Sequence, residues 1–120
     1  MHVEDFRNYC MAKAGVTETF PFDESTLVFK VGGKMFALTG LDRPQFSINL
    51  KCDPDRAVEL RENYDCVLPG YHMSKKHWNT VEIWGDQPDA FYLELIDHSY
   101  DLVYQSLPKK IKVEIEAGLW

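Results

Sequence analysis

Apolar residues recur along the chain with two periods, and the switches between them mark out the elements. Val3, Phe6, Cys10 and Ala14 fall at helical spacing over residues 2–14, and Gly15 follows where a helix end favours glycine. The next stretch, TETFPFDES, is rich in turn formers (Pro21, Asp23, Ser25) and predicts no regular element. At TLVFKV, residues 26–31, Leu27, Phe29 and Val31 alternate with Thr26, Val28 and Lys30, the period of a strand. Gly32-Gly33 supplies the positive φ that a two-residue hairpin turn requires, and KMFALT, residues 34–39, returns as the second strand. QFSINLK, residues 45–51, sets Phe46, Ile48 and Leu50 against Gln45, Ser47, Asn49 and Lys51. That alternation predicts a half-buried antiparallel strand with a wet outer face.

Asp53 then stands as an N-cap with Pro54 at the first helical position, and Ala57, Leu60 and Tyr64 give the following helix an apolar face. Residues 66–84 predict two short strands around a loop broken at Pro69-Gly70, the second strand being Trp78–Trp84. Gly85-Asp86-Gln87-Pro88 ends that strand and opens another helix. Phe91, Leu95, Ile96, Ser99, Leu102 and Val103 keep it packed until Pro108, and the tail KKIKVEIEAGLW adds a last turn or two. The predicted order is α-β-β-β-α-β-β-α. Strands in consecutive runs specify an α+β, two-layer α/β sandwich, an antiparallel sheet with helices on one face.

Composition narrows the class. A chain of 120 residues that is 45% hydrophobic and 13% aromatic fills one core, so residues 1–120 are expected to form a single domain. That aromatic load excludes whole-chain disorder. No apolar run approaches the roughly 18 residues of a membrane span. MHVEDFRNYCMAKAG carries Glu4 and Asp5 and no unbroken apolar segment, so no signal peptide is expected and the cytoplasm is the expected compartment. Cys10, Cys52 and Cys66 are odd in number and widely spaced, against a disulfide framework or a zinc site. They are expected to behave as small hydrophobes.

A net charge of −6 counts against strong nonspecific binding to nucleic acid. The charge is unevenly placed, however. From Cys66 to Val81 there is no acid, while Lys75 and Lys76 are joined by His72 and His77. Residues 25–52 carry Lys30, Lys34, Arg43 and Lys51 against Asp42 alone. Acids crowd the predicted helices instead, as with Asp53, Asp55, Glu59 and Glu62, or Glu94, Asp97 and Asp101. With helices on one face of a sheet, the opposite face and its loops are expected to be positive.

The segment PGYHMSKKHWNTV, residues 69–81, resembles the signature of the MmcQ/YjbR family. Matching features are FSINLKCDPDRAVELRENY before it, LIDHSYDLVYQSLPKK after it, and the ETFPF and KVGGKMFAL segments. The resemblance implies a fold similar to secretion-chaperone-like and frataxin-like (CyaY-like) architectures. It also implies DNA binding through a "double wing" motif, the description common for that family. Fold alone does not carry that function.

The candidate nucleic-acid site is Lys51, Lys75 and Lys76 on phosphates, with His72, His77, Trp78 and Asn79 alongside. Asn79 would hydrogen-bond a base or sugar, and Trp78 or Tyr71 would stack. The competing structural account makes Trp78 a core residue at a strand start and the lysines merely solvated. Lys109, Lys110 and Lys112 are expected to complement the dipole at a helix end. Arg56 is expected to pair locally with Asp53 and Asp55.

Catalysis is not expected, and no cofactor or metal is implied. Gly32-Gly33 lacks the helix and lysine of a phosphate loop, and His72 and His77 have no accompanying carboxylate pattern. Asp97, His98 and Ser99 are consecutive on a helix, so their side chains diverge, and surface or capping roles are expected for them. The main alternative is a protein-interaction or chaperone-like adaptor that takes a protein partner on an exposed sheet edge. Tyr71, Trp84, Tyr92, Tyr100, Tyr104 and Trp120 are the aromatic residues available to such a surface. A continuous Lys51–Lys75–Lys76 surface favours nucleic acid; an exposed apolar patch favours a protein.

Overall fold

The computed structural model describes residues 1–70 and 73–120; the candidates Tyr71 and His72 lie outside the described residues. Along the chain the elements are α1 (Val3–Met11), β1 (Val16–Thr19), β2 (Thr26–Val31), β3 (Lys34–Gly40), β4 (Ser47–Lys51), α2 (Pro54–Asn63), β5 (Val67–Pro69), β6 (Trp78–Glu82), α3 (Asp89–Gln105) and α4 (Lys109–Glu116). The strands form a six-stranded sheet in the order β1-β2-β3-β4-β6-β5, antiparallel throughout. After β4 the chain leaves through α2, enters β5 at the far edge and returns as β6 between the two.

Alternation decides which side chains meet the helices. Leu27, Phe29, Val31, Ile48, Leu50 and Val81 point to one face, where they form a continuous core with Phe6 and Cys10 of α1, Ala57 and Leu60 of α2, Leu95, Ile96 and Val103 of α3, and Ile115 of α4. The other face carries a small separate cluster, Val28, Leu38 and Trp78, with Met35 and Met73 against it. The fold is thus α+β with helices on one side of an antiparallel sheet, as the sequence pattern predicts.

Three details depart from the pattern. Strand β1, VTET, falls in a stretch with one apolar residue, and forms because its backbone pairs with β2 from Val16↔Val31 to Thr19↔Val28. In β3 the register shifts beside Phe29 and Lys30, which pair with Ala37 and Met35. Phe36 is left as the extra residue of a β-bulge. It turns inward against Tyr100, with ring centroids 5.5 Å apart. Finally, the tail does not extend α3: Pro108 caps a separate helix, α4.

Ser99 is buried on the packed face of α3, as its place in the helical period predicts, and has neither the surface nor the capping role also expected of it. Its hydroxyl donates to Phe36 O at 2.5 Å and accepts from Lys51 N at 2.9 Å. The β3–β4 ladder holds Ala37↔Leu50 and Leu38↔Asn49, and this serine joins the two strands just beyond it. All three cysteines are buried, and burial pushes the Cys10 thiol up to about 12 and Cys52 to about 11.

Candidate nucleic-acid interface

Strand register gathers cations that are far apart in sequence. Lys34 closes the β2–β3 turn opposite Val31, Lys30 lies one pair further in, and Leu50 pairs with Ala37. Lys51, the last residue of β4, therefore lies toward that same turn, and Trp78 at the start of β6 is its partner. The loop preceding β6 consequently emerges at the same end of the sheet as the Gly32-Gly33 turn. Two hairpin tips, each bearing a lysine pair, stand side by side there: Lys30 and Lys34 on one, Lys75 and Lys76 on the other.

The described part of the second tip, Ser74 to Trp78, is held by hydrogen bonds from several directions. Ser74 O accepts from the N–H groups of His77 at 3.2 Å and Trp78 at 2.9 Å, and Cys52 N donates to His77 O at 2.8 Å. Arg61 of α2 donates from a terminal guanidinium nitrogen to Lys75 O at 3.3 Å. At Gly70 a Cβ would lie 2.8 Å from Trp78 Cβ and 2.9 Å from Trp78 O, so the loop closes over the strand only with glycine there. Lys75, Lys76 and His77 are exposed, and Lys51 is half-buried.

Ion pairs among the described residues are Arg7–Glu18, Lys13–Asp97, Arg56–Glu94 and the N-terminal ammonium with Asp89. Lys30, Lys34, Lys51, Lys75 and Lys76 take part in none of them. Of the acids on the sheet and its loops, Glu18 is paired with Arg7, Glu82 lies at the opposite end of β6, and Asp23 and Asp42 lie near the contact where Leu41 N donates to Ser25 O; Asp53, two residues beyond Lys51, caps α2. Uncompensated cations of this kind give a locally positive surface on an acidic protein.

The candidate residues do not all share this surface. Trp78 is 8% exposed and packs with Val28 and Leu38 beneath the loop. It is a packing residue, which leaves it no ring face to stack on a base. Asn79 is 2% exposed and points to the helices, its amide donating to Ala57 O at 3.4 Å. Adjacent strand residues face opposite ways, so Asn79 is out of reach of a ligand held by Lys51. Arg56 pairs across helices with Glu94, at 2.6 Å and 2.7 Å, in place of the local partners expected for it. Lys109 and Lys110 open α4, so they sit at the positive end of a helix and the dipole account is reversed.

Sequence reasoning registered Lys30 and Lys34 as basic but did not place them in the site, because only pairing shows that both tips share an end. It also missed a cavity of about 600 Å³ on the open sheet face, reached by Arg43, Ser47, Asn49 and Thr80. The alternation of polar residues in SINLK was the available signal. Among the described residues no group of three or more His, Cys, Asp or Glu is placed to hold a metal, and no helix is long and apolar enough to cross a membrane.

Known proteins share this sequence and architecture. The YjbR family model matches residues 11–102. The uncharacterised protein YbdF of Escherichia coli O157:H7 is 37% identical over 99 residues, covering 82% of this chain and 81% of that one. The uncharacterised protein YjbR of Escherichia coli K12 is 32% identical over 110 residues, 92% of this chain and 93% of its own. Among solved structures, the DUF419-domain protein DR2400 of Deinococcus radiodurans superposes with a TM-score of 0.89 at 41% identity, over 95% of this chain and 87% of that one. A Pseudomonas syringae protein superposes with a TM-score of 0.74 at 26% identity, over 86% of this chain and 99% of its own. With the family model spanning most of the chain and these relatives agreeing along its length, the protein belongs to the YjbR family.

Proposed function

We propose that the protein is a binding protein without catalytic chemistry, and that it grips the phosphate backbone of DNA with the two lysine-bearing hairpin tips. The observation that carries this reading is the shared end of the sheet, where Lys30, Lys34, Lys51, Lys75 and Lys76 stand without carboxylate partners among the described residues. From β2 to β6 the tips are three strand spacings apart, about 14 Å. That span is comparable with a major groove of roughly 12 Å. One tip would sit on each flanking phosphate run, a physical form of the "double wing". Since neither Asn79 nor Trp78 reaches the surface, the contacts are electrostatic, and little sequence preference is expected.

Fluorescence anisotropy with duplex DNA across a salt series tests this. Five phosphate contacts predict a log K against log salt slope of about −4.5, and Lys75→Ala/Lys76→Ala is expected to flatten it by about 2. Absence of binding at low salt, or an unchanged slope in the double variant, contradicts the reading.

A second reading rests on a different observation. Phe20 and Leu41 are exposed and line a shallow, almost wholly apolar cleft beside the edge strand β1. A protein segment adding a strand to β1 would cover them. Retention of a protein partner by the wild type, lost on Phe20→Ser, would favour this adaptor role.

A further inference from the structure

The open sheet face holds the cavity noted above, and its lining is divided by chemistry. Its volume of about 600 Å³ falls within the range of roughly 300–1,000 Å³ typical of small-ligand sites. On the β3 side the surface is apolar, from Met35 and Leu38, with Met73 of the overlying loop facing it. Thioether side chains adapt to flat apolar groups. On the β4–β6 side it is polar, from Ser47, Asn49 and Thr80. Thr80 Oγ1 donates to Asn49 Oδ1 at 2.6 Å, which fixes the amide and leaves its nitrogen to donate to a guest.

One cation completes the cavity. Arg43 lies across Gly40, where a Cβ would come within 3.2 Å of its Nε, so the missing side chain lets the guanidinium rest over the end of β3. Arg43 makes no ion pair with the described residues. Asp23 also lines the cavity; hydrogen bonding from Thr26 and then Ser25, whose N–H groups reach its Oδ1 at 2.7 Å and 3.0 Å, holds its carboxyl below the usual range, so it stays charged and works against an anion there. Phe22, 66% exposed, stands among the lining residues with its ring largely uncovered. An apolar floor, a donor edge, an uncovered aromatic ring and a forked cation together describe one kind of guest.

We propose that this cavity binds a small aromatic anion, its ring over Leu38 and Met35 and its charged group on Arg43. The chemistry is that of a mononucleotide, supplied free or as one unit of a single strand. Lysines of the hairpin tips do not line the cavity, so the proposal is independent of duplex binding.

The test is amide NMR of the full chain titrated with 5′-AMP, adenosine, inorganic phosphate and 8-anilinonaphthalene-1-sulfonate. Saturable shifts at Gly40, Asn49 and Thr80 are expected for 5′-AMP and the sulfonate, with phosphate not saturating and adenosine, which lacks the charge-assisted contact, about tenfold weaker, equivalent to about 1.4 kcal/mol. Arg43→Ala, an exposed substitution, is expected to weaken 5′-AMP about tenfold, and Asp23→Asn to strengthen it. Ser47→Trp, verified folded by its melting transition, is expected to abolish the shifts, while Lys75→Ala/Lys76→Ala leaves them unchanged. If 5′-AMP binds, a single-stranded oligonucleotide that moves the same amides and is displaced by 5′-AMP identifies a strand as the source. An oligonucleotide that leaves them unmoved identifies the free molecule. Absence of cavity shifts with both ring-bearing anions at millimolar concentration overturns the proposal, as does full 5′-AMP affinity in Arg43→Ala.

Discussion

Ser99 shows how one hydroxyl can hold two strands. It satisfies Phe36 O, which the bulge turns out of the ladder, and Lys51 N, at the end of the strand that carries a site lysine. Ser99→Ala removes a small polar atom and leaves both backbone groups buried without it. The expected cost is about 2–6 kcal/mol, at roughly 1–3 kcal/mol for each orphaned group. Urea unfolding checks this; a loss within 0.5 kcal/mol, an order-of-magnitude threshold for surface substitutions, would contradict the bridging role. His98, its neighbour, accepts from Asp53 N at 3.2 Å. Burial, then the charge of Arg56, lowers its pKa, although Glu94, Asp53 and Asp101 pull the other way. A histidine depressed in the folded state binds fewer protons than in the unfolded chain. Its contribution is therefore complete above the ordinary value of roughly 6.5 and is lost as pH falls through the lower, folded value. Wild type should lose more stability than His98→Gln between pH 7.5 and pH 5.5, conditions chosen about one unit either side of that value. Parallel losses would exclude His98 as the titrating group.

At the scale of elements, the hairpin turn does more than reverse the chain. Gly32 has φ +56°, and a Cβ there would lie 2.7 Å from Leu107 Cδ1 and 2.8 Å from Ile111 Cγ2. Gly33 has φ +84° but meets only Trp120, at 3.9 Å. Both substitutions to alanine carry the left-handed penalty of roughly 1–2 kcal/mol. Gly32→Ala adds a collision with the α3–α4 corner and should cost at least about 1 kcal/mol more than Gly33→Ala. Equal melting temperatures for the two variants would show that the corner does not brace this tip. Gly70 makes the corresponding close approach under the second tip, against Trp78. Both tips are thus anchored by glycines that allow packing, which is what rigid presentation of lysines requires.

For the molecule as a whole, the helices bury the thiols and carry most of the acids, while Lys30, Lys34, Lys51, Lys75 and Lys76 stand on or beside the strand ends. A thiol with a pKa near 12 is thiolate to only about one part in 10⁴ at pH 8. Cys10, Cys52 and Cys66 should therefore resist a thiol-selective disulfide reagent in the native state and all react after denaturation. Rapid native reaction at any of them would mean that the helical layer opens readily.

The sequence by itself determined the layers. Two-residue alternation in TLVFKV and SINLK, the Asp53-Pro54 helix start and the Gly32-Gly33 turn are local signals, carried by conformational preference and burial period. They were enough to specify an antiparallel sheet covered on one face, and the lysines were visible in composition. Strand β1 was not legible, since VTET is made a strand by the backbone it pairs with rather than by its own pattern. The division of the candidate site was half legible: a strand from Trp78 already sends Trp78 and Asn79 to opposite faces, but which of the two meets the helices is set by the pairing of Leu50 with Asn79 and Lys51 with Trp78. Only the tertiary structure decided which lysines stand together, because strand order and register are long-range choices, made where backbone hydrogen bonds and the bulge at Phe36 bring distant segments to one end of the sheet.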